Sequence, residues 1–255
     1  MIDKEISKID KKIDKMRKRV KGVEDYKVSS EVFDNSTLLT LYHFAKNGSI
    51  DTLHGVIKAG KEANVFLAYD KNGRKIAVKI YMVTASDFRN MLKYIEGDRR
   101  FRGFHKNRRG IIYTWVKKEF KNLERAHDAG VMVPEPIAFR NNVLLMDFVG
   151  TNGKNAPMLK NIEVQEPEKI LSDIIEDYNK LYCRANLVHS DLSEYNILIK
   201  DNSIPYLIDF SQAVIREHPS AADFLNRDVK NLTRYFKKYF DVAEEEIYKR
   251  ITLCG

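Results

Sequence analysis

The chain has no apolar run approaching the roughly 20 residues a helix needs to cross a bilayer, so no membrane span is expected. Its first residues, MIDKEISKIDKK, hold no apolar segment of the secretory-signal type. The only two cysteines, Cys183 and Cys254, give neither a metal-ligand spacing nor a disulfide framework. Cys183 lies in an apolar-periodic stretch and is expected in the core, and a reducing, cytoplasmic location follows. Internal repeats and low-complexity tracts are missing as well. Positive charge is plentiful: 44 Lys and Arg stand against 36 Asp and Glu, a formal net charge of +8. That balance favours anionic partners such as nucleotide or RNA without naming one. At 255 residues there is length for one large or two small domains with ample core.

The stretch at residues 187–196, LVHSDLSEYN, fits H-x-D-L-x-x-x-N, the spacing of a protein-kinase catalytic loop. In that pattern Asp191 accepts the proton of an attacking hydroxyl or water, and Asn196 reaches back to a metal ion that a second carboxylate also holds. Asp209 stands where that carboxylate is needed. Between them lie Ile197-Leu198-Ile199, a turn at Asp201-Asn202-Ser203, and Pro205-Tyr206-Leu207-Ile208. Two short strands joined by a turn bring Asp191 and Asp209 to one end of a hairpin.

Earlier in the chain, Ile2, Ile6, Ile9, Ile13 and Met16 mark one apolar stripe on a highly charged helix over residues 3–20. A solvated helix docked by a thin seam and RNA contact through Lys15, Arg17, Lys18 and Arg19 are both open readings. Residues 38–44 read as a second helix, capped by Asn35-Ser36 and ended by Gly48. From Leu53 the period changes. Strands at 53–57, 65–69 and 76–81, separated by Gly60-Lys61 and Asp70-Lys71-Asn72-Gly73, predict an antiparallel meander. Ile76-Ala77-Val78-Lys79 fits the kinase third-strand motif and places Lys79 to hold nucleotide phosphates.

A helix over 111–129 puts Trp115, Val116, Glu119 and Leu123 on one face. A carboxylate there needs a cation, and Lys79 supplies one; Lys118 or water is the alternative partner. Residues 84–110 show neither period and read as a flexible basic loop, suited to RNA contact, to covering a site, or to plain solvation. Strands at 137–139 and 143–149 flank Asn141-Asn142. Residues two apart in a strand turn their polar groups to one edge, so the Met146 carbonyl and the Phe148 N–H could meet an adenine together. An amphipathic helix over 166–185 leads into the catalytic stretch, and a basic helix around 228–240 follows it.

Taken together, these residues resemble the RIO family of atypical serine/threonine protein kinases, in the subgroup without a winged helix. The specific marks are Gly60-Lys61-Glu62-Ala63-Asn64-Val65, His189 through Asn196, and Ile208-Asp209-Phe210-Ser211-Gln212 where ordinary kinases carry Asp-Phe-Gly. The resemblance implies an α+β, two-lobed protein-kinase-like fold: a small antiparallel sheet with one main helix, a reduced and mostly helical second lobe, and an N-terminal helical extension. The expected divisions are 1–50, 51–146 and 147–255. It implies ATP and a divalent metal, Mg2+ or Mn2+, in the cleft. Asp191 would be the base, Lys79 with Glu119 would bind ATP phosphates, and Asn196 and Asp209 would hold the metal, with Asp209 open to phosphorylation. The partner implied is the maturing small ribosomal subunit and its RNA.

Two departures from the family pattern matter. Lys58-Ala59 stand where Ser-Thr usually precede the loop glycine, so other close approaches to phosphate fall to the backbone of Lys61, Glu62, Ala63 and Asn64. Residues 97–110 contain no Ser or Thr, so autophosphorylation there is not expected. No Ala-Pro-Glu follows Asp209, and residues 210–255 leave no room for the helical subdomain with which typical kinases bind peptides. Three functions are weighed: an ATP-dependent phosphotransferase or ATPase in ribosome assembly, a small-molecule kinase of the aminoglycoside or choline type, and an RNA-binding module latched by ATP.

Overall fold

Helix α1 (Asn35–Lys46) begins where Asp34 turns its carboxylate onto the Thr37 N–H at 2.8 Å. That cap is worth about 1 kcal/mol. It sits one residue before the Asn35-Ser36 cap expected, because Asp34 keeps extended backbone while Asn35 is already helical. The computed structural model describes residues 33–83, 88–151 and 154–254, so the charged helix read over 3–20 lies outside it. The chain divides into two compact units. The first takes the described residues up to Phe88 with Phe104–Lys117 and Ile137–Phe148; the second takes Arg89–Gly103, Lys118–Pro136 and the residues from Val149 on.

In the first unit, β1 (Thr52–Ala59), β2 (Ala63–Tyr69) and β3 (Lys75–Tyr81) form the expected antiparallel meander. Strands β4 (Pro136–Arg140) and β5 (Val143–Asp147) complete a five-stranded sheet ordered β1-β2-β3-β5-β4. Alternation in β2 buries Asn64, Phe66 and Ala68. Phe66 and Ala68 pack with Ile76, Val78, Ile80, Val143 and Leu145, while α1 adds Leu41 and Phe44 to the same core. The β4–β5 turn needs Asn141 at φ +52, and Asn142 donates to Thr37 Oγ1 and the Tyr81 carbonyl at 2.8 and 2.9 Å. The hairpin is thereby tied to both α1 and β3.

The second unit is mostly helical. Helix α4 (Pro167–Cys183) starts with proline at its first turn, where a missing N–H does no harm. It buries Ile170, Ile174, Tyr178 and Leu181, and α5 (Ala221–Phe236) and α6 (Glu244–Thr252) complete this helical part. The short strands β8 (Leu187–Val188) and β11 (Val214–Ile215) pair, as do β9 (Ile197–Lys200) and β10 (Ile204–Leu207). The remaining elements are the strand pair β6 (Gly150–Thr151) and β7 (Lys154–Asn155) and helices α2 (Phe88–Ile95) and α3 (Arg108–Asp128). Among the described residues no helix is long and apolar enough to cross a membrane.

Two expectations are overturned. Residues 84–110 are not uniformly irregular. Helix α2 buries Met91, Tyr94 and Ile95, and a 3-10 turn at Arg99–Phe101, capped by Asp98, buries Phe101. An apolar triplet at helical spacing is enough to seat a short helix once a core accepts it. The cysteines are also not independent: Cys183 and Cys254 form a disulfide across 71 positions. Asn179 of α4 donates to the carbonyls of Arg250, Ile251 and Leu253, which docks the end of α6 beside Cys183. The ground for inferring a reducing compartment therefore falls away.

Candidate active site

Asp191 follows β8 and Asp209 follows β10, and the hairpin between them sets their relation. Leu207 pairs with Ile197, and the Ile208 N–H donates to the Asn196 carbonyl at 3.0 Å. The two carboxylates therefore emerge from the same end of the β9–β10 ladder. Side chains then close the arrangement. Asn196 Nδ2 donates to the Asp191 carbonyl and to its Oδ2 at 2.8 and 3.1 Å, and Gln212 Nε2 reaches the same Oδ2 at 3.1 Å. Asp209 Oδ1 accepts the Ser211 hydroxyl at 2.8 Å. Burial raises the pKa of Asp191 above the ordinary carboxylate value, and the neighbouring charge of Asp209 raises it further.

The backbone at both acids is strained. Ser190, directly before Asp191, has φ +71, and Asp209 itself has φ +66, a region that side-chain-bearing residues seldom occupy. The Ser190 strain is held by groups not singled out from the sequence. Asp228 of α5, fully buried, accepts the N–H groups of Ser190 and Leu192 at 2.8 and 2.9 Å and the Tyr178 hydroxyl at 2.6 Å. Arg227 donates to the Ser190 carbonyl from the other side. Burial pushes the Asp228 carboxyl up to about 7 against the pull of its donors, and pushes the Tyr178 hydroxyl well above its usual value.

His189 is scaffold as well. Burial lowers its pKa to about 4, so the ring is neutral near pH 7, and Nε2 lies 3.1 Å from the Ile208 carbonyl. Its ring packs on Phe210 with centroids 4.8 Å apart. The histidine of the motif thus braces the residue before Asp209.

The residues expected to meet nucleotide lie as follows. Lys79 is buried on β3, opposite Val65 and Leu144, with its ammonium 5.0 Å from the Tyr81 ring centroid. Gly60 opens the β1–β2 turn; its N–H meets Asn64 Oδ1 at 3.3 Å, and a Cβ there would lie 2.8 Å from the Ala63 carbonyl. Only glycine fits that approach. Lys61 is exposed, Glu62 and Ala63 are half-buried, and Asn64 is buried, with Nδ2 3.7 Å from Met82 Sδ. The Glu62 carbonyl takes the Met82 N–H at 2.9 Å. Met146 pairs with Ala77 near the end of β5, and Phe148 follows the strand; both are half-buried. Glu119 is buried on α3 with Trp115, Val116 and Leu123, the face its spacing predicts.

Lys118, the alternative partner weighed for Glu119, does feel that carboxylate's charge. It is fully buried and donates to the carbonyls of Ser211, at 3.0 Å, and Ala213. Burial brings its ammonium down to about 7 although Asp98 opposes the shift. Asn122, one turn further along α3, donates to the carbonyls of Phe210 and Ala213 at 3.0 and 2.7 Å. Lys118, Asn122 and Asp228 share one signal that sequence reading could have used: a polar residue at helical spacing within an apolar face.

A hard divalent cation fits the remaining donors. Asn196 gives its amide hydrogens to Asp191, which turns the planar group's Oδ1 the other way, and Asp209 adds a carboxylate. Both are oxygen ligands, as Mg2+ prefers. Among the described residues no three His, Cys, Asp or Glu side chains gather to hold a metal. An ion here would complete its shell with water and phosphate oxygens, a usual arrangement for Mg2+.

Comparison with known proteins agrees with this geometry. Residues 64–248 match the family described as RIO domain. The RIO-type serine/threonine-protein kinase Rio1 of Haloferax volcanii is 41% identical over 244 residues, covering 95% of this chain and 83% of that protein. Its counterpart in Methanocaldococcus jannaschii is 44% identical over 254 residues, covering 98% and 86%. Among solved structures, the Rio2 kinase–ADP/Mg2+–phosphoaspartate complex from Chaetomium thermophilum is 25% identical with a TM-score of 0.64, over 86% of this chain and 67% of that one. The fold is the two-lobed, protein-kinase-like one. The chain belongs to the RIO family and is an atypical serine/threonine protein kinase.

Proposed function

We propose that this kinase takes the γ-phosphoryl group of ATP in a Mg2+-dependent reaction, with Asp191 and Asp209 at the reacting end. The observation that carries the reading is the pair of acids at one end of the β9–β10 hairpin, with Asp191 Oδ2 fixed by Asn196 and Gln212. Asp191 accepts the proton of the attacking hydroxyl or water; its raised pKa suits a group that must hold that proton. Asn196 Oδ1 and the Asp209 carboxylate hold the metal, which when bound neutralises charge on the phosphate oxygens. Lys79 binds phosphates with Glu119 as its orienting partner, the backbone from Lys61 to Asn64 covers them, and Met146 and Phe148 meet the adenine edge.

Asp209 is also the phosphoryl acceptor in this reading. Its carboxylate oxygen bonds to the γ-phosphorus as the bond to ADP breaks, giving an acyl phosphate and ADP. Water then attacks that phosphorus, Asp191 takes the water's proton, and inorganic phosphate leaves with the carboxylate restored. The Chaetomium thermophilum Rio2 complex carries a phosphoaspartate beside ADP and Mg2+, which supports this route. Incubation with γ-labelled ATP and Mg2+ tests it. Label on the protein should be released by hydroxylamine and be absent from Asp209→Asn. Asp191→Ala should bind ATP and lose turnover. Hydroxylamine-stable label, or undiminished phosphate release by Asp191→Ala, would refute the assignments.

The cellular setting proposed is maturation of the small ribosomal subunit. Arg99, Arg102, Lys106, Arg108 and Arg109 are exposed, and such charge suits ribosomal RNA. RNA affinity should fall steeply with salt and change with bound ATP; indifference to nucleotide would count against a latch. ATP turnover stimulated many-fold by an aminoglycoside or choline-like alcohol, and not by ribosomal particles, would favour a small-molecule kinase instead.

A further inference from the structure

The segment after Asp209 is held by α3 through backbone carbonyls. Lys118 Nζ meets the carbonyls of Ser211 and Ala213, and Asn122 Nδ2 those of Phe210 and Ala213. Four hydrogen bonds from two side chains thus converge on three carbonyls within four residues. The Ala213 carbonyl takes one from each, and all three of these carbonyls belong to buried residues. Behind Asn122 stands a second layer. Arg100 donates to Asn122 Oδ1 at 2.8 Å, which fixes the amide so that Nδ2 faces the carbonyls. Arg100 is itself gripped by the buried Asp98 at 2.6 Å.

The clamped segment matters for two reasons. Asp209 sits at its start with φ +66, a conformation that persists only where the surroundings over-determine it. Gln212 sits between the two carbonyls that Lys118 holds, and its side chain reaches Asp191 Oδ2. One rigid segment therefore sets the direction of one acid and supplies a hydrogen bond to the other.

We propose that Lys118 and Asn122, with Arg100 and Asp98 behind Asn122, are positioning residues that lock the main chain at 210–213 and thereby aim Asp209 at the reacting phosphate and metal and Gln212 at Asp191. This rests on the reading of Asp209 given above. A buried lysine suits such a clamp because it brings several donors on one atom, and two of them meet main-chain carbonyls here. Asn122 adds what lysine lacks, a planar donor whose orientation Arg100 dictates.

The test uses Lys118→Met and Asn122→Asp, each removing the donors at nearly constant volume, with Asp209→Asn in parallel. The apparent Mg2+ concentration for half-maximal phosphoryl transfer should rise about 10- to 100-fold, the usual size for loss of a group orienting a ligand. Affinity for ADP without metal should stay within about twofold, and excess Mg2+ should recover part of the lost kcat. A purely structural role would lower the melting temperature and leave the Mg2+ dependence in place; that result, with Asp209→Asn inactive, overturns the clamp and spares the site. An active Asp209→Asn overturns the underlying reading and the clamp with it. Should neither variant fold, hydrogen exchange of the unaltered protein decides. The clamp requires the Ala213 amide, which donates to the Phe210 carbonyl that Asn122 also holds, to exchange only through global unfolding, and fast local exchange there refutes it.

Discussion

Replacing Asp228 should uncouple the catalytic loop from the helix beneath it, and the two obvious substitutions should differ by a calculable amount. The carboxylate takes three donors: the Ser190 N–H and Tyr178 hydroxyl on Oδ2, and the Leu192 N–H on Oδ1. None of the three reaches water where it stands, since Tyr178, Ser190 and Leu192 are all buried. A buried donor deprived of its acceptor costs about 1–3 kcal/mol. Asp228→Ala strands all three and should lose on the order of 3–9 kcal/mol, a large part of the roughly 5–15 kcal/mol typical of a folded domain. Asp228→Asn can keep its amide oxygen at the Oδ2 position, which serves two donors at once. Its NH2 then faces the Leu192 N–H, so that N–H and the buried NH2 are both stranded, and the loss should be about 2–6 kcal/mol.

Equilibrium unfolding in urea measures both. Activity supplies the second axis. Ser190 keeps φ +71 only while Asp228 and Arg227 grip its two ends, and relaxing it displaces Asp191 by the next bond. A misplacement of about 1 Å at a reacting group lowers turnover about 100-fold. Phosphoryl transfer by folded Asp228→Asn should therefore fall about 100-fold, a loss measured on the folded fraction and so separate from its stability. An alanine variant destabilised by less than about 1 kcal/mol, or an asparagine variant with turnover within twofold of the parent, would refute the anchoring role.

His189 gives the chain an acid-sensitive term. Its folded pKa of about 4 lies below the ordinary 6.5, so between those values the unfolded chain binds a proton that the folded chain does not. Stability from this group is present above pH 6.5 and is lost as pH falls towards 4, by on the order of 3 kcal/mol. His189→Gln, which can still donate to the Ile208 carbonyl, should flatten that part of a stability–pH curve; an unaltered slope would show that other groups cause it. Cys254→Ser should cost about 2–4 kcal/mol in denaturant unfolding, and dithiothreitol should impose the same loss on the parent protein. A midpoint unmoved by reductant would contradict the Cys183–Cys254 bond. Gly60→Ala drives a Cβ to 2.8 Å from the Ala63 carbonyl and must shift the β1–β2 turn. The KM for ATP should rise about tenfold with kcat little altered; equal KM values would show that this turn does not approach the nucleotide.

The strands of the sheet were legible because their side chains alternate and their turns carry Gly, Asn and Asp, two signals written within a few residues of each other. Helix α2 carried a weaker version of the same kind of signal. Met91, Tyr94 and Ile95 mark little more than one turn, and the surrounding charges of Arg89, Lys93 and Glu96 dilute it. The disulfide left no trace at all, because nothing local relates two cysteines 71 positions apart until α4 and α6 are docked.

The harder distinction lies inside the site. Glu119 stands out in the sequence because a carboxylate on an apolar face demands a charged partner, and Lys79 offers one. Lys118, Asn122 and Asp228 break the same rule on their own helices, but the partners through which they hold the site are main-chain groups of residues 190, 192, 210, 211 and 213. Every residue other than proline offers identical N–H and C=O groups, so no letter in the chain marks which of them will be met. A catalytic motif therefore names the side chains that meet the substrate and is silent about those that hold the motif's own backbone. Such holders betray themselves only as polar residues in apolar helical stripes, and the strained φ values at Ser190 and Asp209 show where they act. The inference then runs from the misplaced polar residue to the strained loop, which is the direction in which Asp228, Lys118 and Asn122 each lead to an acid they never touch.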